Sequence, residues 1–342
     1  MLLEGFYIEI EDVIAFVKGV VHPPNKVFAF PKYVPTQCSV EGARARRGSN
    51  ICFRKLETIE EQMRFVREWM PNIIAYDEYL GLELPAIPLN MVDRIFNPID
   101  KARELLHSSN LVDDTLRLAK SLVEDLIRGS GVSTDSVGIS GSILVDLYTE
   151  SSDIDIVVYG EKEGRKVYEF LKQAVDNPAT GFKRYGVDDL ARLYRFRARE
   201  TPMDFNTFVA HERRRVLEGI YRGREYFVRL VLPPREWERY GCFVSRRIGE
   251  ATIRARIADS SQSIYTPCRY LVRDAVVLDG YAPRIDEIYS LRGRFCELAD
   301  NGHEVVARGY VEKIVYLDLG VEVYRLHLVD RGHFMVNKSL GI

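Results

Sequence analysis

The chain has 342 residues, 46% hydrophobic and 29% charged, with a formal net charge of −2. At about 100–200 residues per domain, this length predicts two or three domains with ample apolar material for a core. The near-neutral balance excludes a non-specific nucleic-acid coat protein while allowing local basic patches, and no apolar run approaches the roughly 18 residues of a membrane span. The N-terminus MLLEGFYIEIEDV lacks the basic start and long apolar stretch of a signal peptide, so a cytoplasmic protein with no membrane partner is expected. Five cysteines stand singly, with no CxxC pair, which predicts reduced, mostly buried thiols and no disulfide framework. The histidines show no metal-binding spacing.

In chain order, FYIEI and VIAFVKGVV read as strands, His22-Pro23-Pro24 breaks the run, and Val27–Phe30 resumes it. Arg44, Arg46 and Arg47 fall in a Gly/Ser-bearing loop flanked by Cys38 and Cys52, to which no role is assigned. Thr58 followed three residues later by Glu61 is a capping box opening a helix over 58–70. LVDDTLRLAKSLVEDLIRG reads as an amphipathic helix ended by Gly129. SVGIS is a short buried strand, Gly141-Ser142 opens a helix reaching about Tyr148, DIDIVVYG is a strand and RKVYEFLKQAV a helix. YRFRA and MDFNTFV read as two further strands. Arg195, Arg197 and Arg199 then alternate on one strand face, and Arg213-Arg214-Arg215 reads as exposed helix. Trp69 and Trp237 are assigned to the core.

The tail is nearly all strand. In ATIRARIAD, Ile253, Ala255 and Ile257 share one face, and Thr252, Arg254 and Arg256 the other. KIVYLDLGVEVYRLHLVD reads as a hairpin turning near Asp318–Gly320. The predicted fold class is α+β: a mixed, β-rich region over 1–100, a core of alternating helix and strand over 101–232, and an antiparallel β-rich domain over 233–342, a small barrel or sheet.

The chemistry concentrates in GISGSILVDLYTESSDIDIVVYG, residues 138–160. Backbone N–H groups where a helix starts are unsatisfied and favour an anion. Gly141 allows close approach and the Ser142 hydroxyl adds a donor, so Gly141-Ser142 reads as a phosphate cradle. Asp153 and Asp155 lie two apart on a strand, so both carboxylates share one face. Like charges this close are tolerable with divalent cations between them, and hard oxygen ligands suit Mg2+ or Mn2+.

Gly-Ser, ten residues, then Asp-Ile-Asp between apolar residues resembles the signature of the DNA polymerase beta-type nucleotidyltransferase superfamily. The Ser152-Asp153-Ile154-Asp155 ending is similar to archaeal members, and the whole chain resembles an uncharacterised group of archaeal predicted nucleotidyltransferases. The resemblance is specific over about 136–210. It implies a polymerase beta palm-like core and transfer of a nucleoside monophosphate from an NTP to an acceptor hydroxyl. RNA or DNA is one candidate acceptor, and a protein or small molecule another. Gly141, Ser142, Ser152, Arg197 and Arg199 would bind nucleotide phosphates, and Asp153 and Asp155 would bind metal.

The resemblance also implies a third metal-binding, catalytic carboxylate on a later strand. Asp204, between Met203 and Phe205, fits better than Asp188-Asp189. Relatives often carry Arg-Gly shortly after Gly-Ser, where this chain has Val145-Asp146. The alternative reading is a non-catalytic nucleic-acid-binding or regulatory protein on the same scaffold.

Overall fold

β-Branched and aromatic residues set the first strands. Tyr7–Ile10 (β1) and Val13–Val17 (β2) pair antiparallel. They turn through Glu11 and Asp12 at φ 48° and 64°, the positive values a two-residue hairpin turn requires. The computed structural model describes residues 1–341 and has the expected α+β class. The chain divides into two compact units. The first comprises Met1–Asp77, Leu82–Phe170 and Tyr221–Pro234; the second comprises Glu78–Gly81, Leu171–Ile220 and Arg235–Ile342. This partition differs from the three regions read from sequence texture, because residues 171–220 group with the tail.

In the first unit, β1 and β2 belong to an antiparallel sheet with Lys26–Thr36 (β3), Arg44–Ala45 (β4), Cys52–Lys55 (β5), Ile74–Asp77 (β6), Leu82–Pro88 (β7) and Arg94–Phe96 (β8). One face carries Ile8, Ile10, Ala15, Val17, Val27 and Ala29, packed with Val66 of the helix Ile59–Trp69 (α1). The α1 capping box forms as predicted. Thr58 Oγ1 accepts from the Glu61 N–H at 3.2 Å, and Glu61 accepts from the Thr58 N–H at 3.2 Å. Pro98–His107 (α2) starts on Pro98 behind an Asn97 cap.

Asp114–Ser130 (α3) is capped by Asp113 and ends on Gly131, at φ 65°. The predicted stop at Gly129 is corrected by one turn-end. Gly129 lies inside the helix and serves packing, since the Phe170 ring would lie 2.1 Å from a Cβ there, and the left-handed stop is supplied by Gly131. A small sheet completes the unit. Val137–Ile139 (β9) pairs antiparallel with Ile154–Tyr159 (β10), β10 pairs parallel with Arg224–Val231 (β11), and the helices Gly141–Leu144 (α4) and Glu161–Ala174 (α5) precede and follow β10 in the chain.

In the second unit the two strands predicted over 194–209 are helices. Val187–Arg197 (α6) begins at Gly186, whose N–H donates to Asp189 at 3.0 Å, and buries Leu190. Phe205–Glu212 (α7) begins at Asp204. Local capping outweighs the two-residue alternation of the arginines. Arg215, read as exposed, is 1% exposed. It pairs with Glu212 at 3.1 Å and with Glu218 at 2.5 Å. Trp237, read as core, is exposed beside the Arg235 guanidinium.

The predicted β-rich tail closes into a barrel. Phe243–Asp259 (β12) is long enough to pair with Cys268–Gly280 (β13) on one side and Glu304–Tyr316 (β15) on the other. β13 pairs with Glu287–Ser290 (β14), β14 runs parallel to Val321–His327 (β16), and β16 returns to β15. Phe334–Asn337 (β17) adds to β15. The β15–β16 hairpin turns where the sequence predicts. Ile253, Ala255 and Ile257 point inward and are buried, while Arg254 and Arg256 are exposed.

The Arg215 cluster holds this unit's helical segment. Replacing one partner leaves buried carboxylates uncompensated. Arg215→Ala is expected to lower stability by about 3–5 kcal/mol, read as a lower urea midpoint; a midpoint unchanged from wild type would refute the structural role.

Candidate active site

The turn between β9 and β10 carries the motif. Ser140 donates its N–H to the Asp155 carbonyl at 2.8 Å and its hydroxyl to the Gly5 carbonyl at 2.7 Å. Gly141 follows at φ 62°. A Cβ on Gly141 would lie 2.0 Å from Asp155 Oδ2. The site therefore needs glycine twice, for the positive φ and for direct contact with the carboxylate. Ser142 is buried, and its hydroxyl takes no partner among the described residues.

The helix is a single turn, Gly141–Leu144 (α4), shorter than the predicted run to Tyr148. It stops because Leu144, Val145 and Leu147 enter an apolar cluster with Tyr7, Tyr33, Phe53 and Phe96 of the N-terminal sheet. Asp146 takes φ 60°. Its carboxylate pairs with Lys101 at 3.1 Å.

Asp153 precedes β10 and is exposed; Asp155 lies on β10 and is half-buried. Burial first, and the Asp153 charge second, push the Asp155 carboxyl up to about 7. Arg229, Lys55 and Lys32 oppose that rise, and Arg229 is itself paired with Glu4 at 3.2 Å. A carboxyl held this high, against a second carboxylate and at a glycine turn, has the donor chemistry of a divalent-cation site. Tyr7 and Tyr33 wall the same region. Both hydroxyls are raised, chiefly by burial, with Asp155 adding to the rise.

The other expected site residues are placed differently. The Ser152 hydroxyl accepts from the Thr149 N–H at 2.9 Å, so it closes the turn leading to Asp153. Arg197 pairs with Glu212 at 2.8 Å and with Glu218 inside the second unit. Arg199 is exposed in the turn after α6. Asp204 lies in the second unit and not on a strand. Its oxygens accept from the Thr207 N–H at 3.0 Å and the Thr207 hydroxyl at 2.6 Å, which holds its carboxyl below the usual range. Its Asp-x-x-Thr spacing is an N-cap signal. Asp188 and Asp189 open α6.

No protein-family model matches the chain. No solved structure matches it. The chain is similar to an uncharacterized protein of the archaeon Methanocaldococcus jannaschii. The two are 28% identical over 347 residues, covering 98% of this chain and 97% of that protein.

Two features of the site were not legible in the sequence. Glu225 on β11 precedes Tyr226, the register partner of Ile154, as Asp153 precedes Ile154. Tyr226, Val228 and Leu230 are buried while Glu225, Phe227 and Arg229 alternate with them, so Glu225 shares the aspartates' face. No three acidic, histidine or cysteine side chains gather as a metal cage among the described residues. The second feature is a disulfide between Cys38 and Cys52, with Cα atoms 5.2 Å apart, which corrects the expected free thiols. The loop it closes lies on the motif's own turn. Arg47 donates its N–H to the Asp146 carbonyl at 3.0 Å and stacks on Tyr148, while Arg46 pairs with Glu9 at 2.6 Å.

Two outcomes follow. Gly141→Ala forces both a positive φ and a clash, and is expected to destabilise by about 1–3 kcal/mol; an unchanged melting temperature would contradict the Asp155 contact. For Asp155, the folded carboxyl keeps its proton to a higher pH than the unfolded one. Stability is therefore lost as pH rises from about 4, the unfolded value, through the folded value of about 7. In EDTA, Asp155→Asn should raise the melting temperature at pH 8 and leave it unchanged below about pH 4. A loss of stability at pH 8 would reverse the assignment.

Proposed function

We propose that the chain is a metal-dependent nucleotidyltransferase, moving a nucleoside monophosphate from an NTP to an acceptor hydroxyl. The observation that carries this is the Asp155 carboxylate seated against the Gly141 backbone, beside Asp153 and an unpartnered Ser142 hydroxyl. β9, α4 and β10, with the parallel β11 beside them, support a polymerase beta palm-like core. Asp153 and Asp155 would hold Mg2+ or Mn2+, which when bound supplies electrostatic stabilisation of phosphoryl charge. The Ser142 hydroxyl would orient the nucleotide phosphates. The acceptor oxygen bonds to the α-phosphorus as pyrophosphate leaves, and the hydroxyl proton passes to a carboxylate of the site. Glu225 replaces Asp204 as the proposed third acid, since Asp204 is engaged in capping α7.

The second unit supports a nucleic-acid acceptor. Its strands close in the order first, second, third, fifth, fourth, with a parallel third–fifth pair. That is the Greek-key order of oligonucleotide/oligosaccharide-binding barrels. The second reading, a non-catalytic binding protein on this scaffold, draws on the absence of a three-ligand cage among the described residues.

Wild type is expected to transfer label from α-labelled ATP or CTP to RNA or DNA with Mg2+. Asp153→Asn and Asp155→Asn should each reduce this at least about 100-fold, and Glu225→Gln about tenfold or more. Undiminished transfer in both aspartate variants would remove the assignment. Nucleic-acid binding that is steeply salt-dependent, with no Mn2+ affinity, would select the second reading.

A further inference from the structure

We propose that Lys32 and Lys55 of the N-terminal sheet form an anion subsite that takes a polyphosphate, seating the β- and γ-phosphates of the nucleotide beside Asp155. The placement on a nucleotide rests on the reading above; the anion site itself stands on the geometry of the first unit.

Lys32 sits at a break in strand register. Ile14 pairs with Tyr33 and Ala15 with Pro31, so Lys32 is the extra residue of a β-bulge in β3. A bulge re-aims the side chains around it, and bulges concentrate next to active sites. Tyr33, beside it, is buried in the cluster with Leu144 and Val145 of the motif. Lys55 is the register partner of Tyr33 on β5. The bulge thus places Lys32 next to, and the β3–β5 register places Lys55 opposite, the residue of the sheet that packs on the motif. Both lysines act on Asp155, and the Lys55 charge acts on Lys32.

Neither charge is well compensated. The Lys32 ammonium takes no hydrogen-bond or ion-pair partner among the described residues, the residue's one hydrogen bond being from the Leu56 N–H to its carbonyl, yet it is half-buried. Burial, then the Lys55 charge, lower its ammonium to about 8. Lys55 has only Glu57, at 3.1 Å and 54% exposed, an exposed pair of small worth that another anion can replace. Glu61, which acts on Lys32 after Glu57 and Asp155, is engaged in the α1 capping box. An ammonium removed from water without a partner is costly. Lys32 is such an ammonium, and with the weakly paired Lys55 beside it the pair indicates a ligand of opposite charge.

Charge balance selects its class. A divalent cation would neutralise Asp153 and Asp155, and Arg229 already has Glu4. Lys32 is then the cation without a carboxylate partner, and Lys55 the one whose only partner is an exposed carboxylate, and a polyphosphate complements both. The arrangement also supplies cations that the motif lacks, because Val145 is buried and Asp146 is tied to Lys101.

The test is calorimetric titration of tripolyphosphate into the full chain without divalent ions, alongside a separate titration of Mn2+ alone. Wild type should bind tripolyphosphate. Lys32→Met should weaken it about tenfold or more, Lys55→Met should weaken it less, and Lys32→Arg should restore most of it. Mn2+ affinity should persist in both methionine variants and fall in Asp155→Asn. If Lys32→Met does not fold, Lys55→Met carries the comparison. Tripolyphosphate binding that is absent from wild type, or equal in wild type and the lysine variants, overturns the subsite. Loss in the lysine variants supports it even when no nucleotidyl transfer is found, in which case the transferase reading fails alone.

Discussion

The first unit depends on one contact: the Asp155 carboxylate against the backbone of Gly141. A carboxylate in that place is half-buried, close to a second carboxylate, and held well above its ordinary pKa. In a chain selected only for stability, that position would favour a neutral residue. Strain and unfavourable charge gather where a ligand relieves them. The left-handed Gly141 and the hydrogen bonds of Ser140 make the arrangement a property of the backbone, so it does not depend on a flexible side chain.

The N-terminal sheet is part of the site. Tyr7 and Tyr33 wall the aspartates, and the apolar residues of the motif turn, Leu144, Val145 and Leu147, pack into the same sheet. That packing shortens the helix after Gly141 to one turn and leaves little macrodipole to hold an anion. The compensating charge comes from the bulged β3 and from β5. The Cys38–Cys52 disulfide lies on these same strands and their adjoining loop. It limits how far the Arg44–Arg47 segment can move from the turn it covers, since a cross-link closes off the open states of the loop.

The second unit is held by different physics. Inside the barrel, alternating aliphatic residues fill the interior. Outside it, charged groups pair across neighbouring strands, as Arg325 does with Glu287 at 2.6 Å and His327 with Glu312 at 2.9 Å. Arg215 extends the same principle to the helical segment. Such networks are stable when complete and costly when broken. This is why Arg197, expected on a strand face and at the nucleotide phosphates, is engaged in the fold.

The sequence by itself determined whatever depends on near neighbours. Alternation placed Ile253, Ala255 and Ile257 on a buried face, the Thr58–Glu61 spacing placed the α1 cap, and Gly141-Ser142 with Asp153 and Asp155 located the candidate site, because period and capping act over a few residues. Where two local signals competed, the weaker was read: the alternation at 195–199 suggested a strand, while Gly186–Asp189 and Asp204–Thr207 capped helices. Only the tertiary structure decided which distant elements meet. It set Glu225 on the aspartates' face, joined Cys38 to Cys52, closed the barrel, and turned Lys32 by a register break between β2 and β3. Each of these is fixed by strand pairing between residues far apart in the chain, and such pairing leaves no local pattern to read.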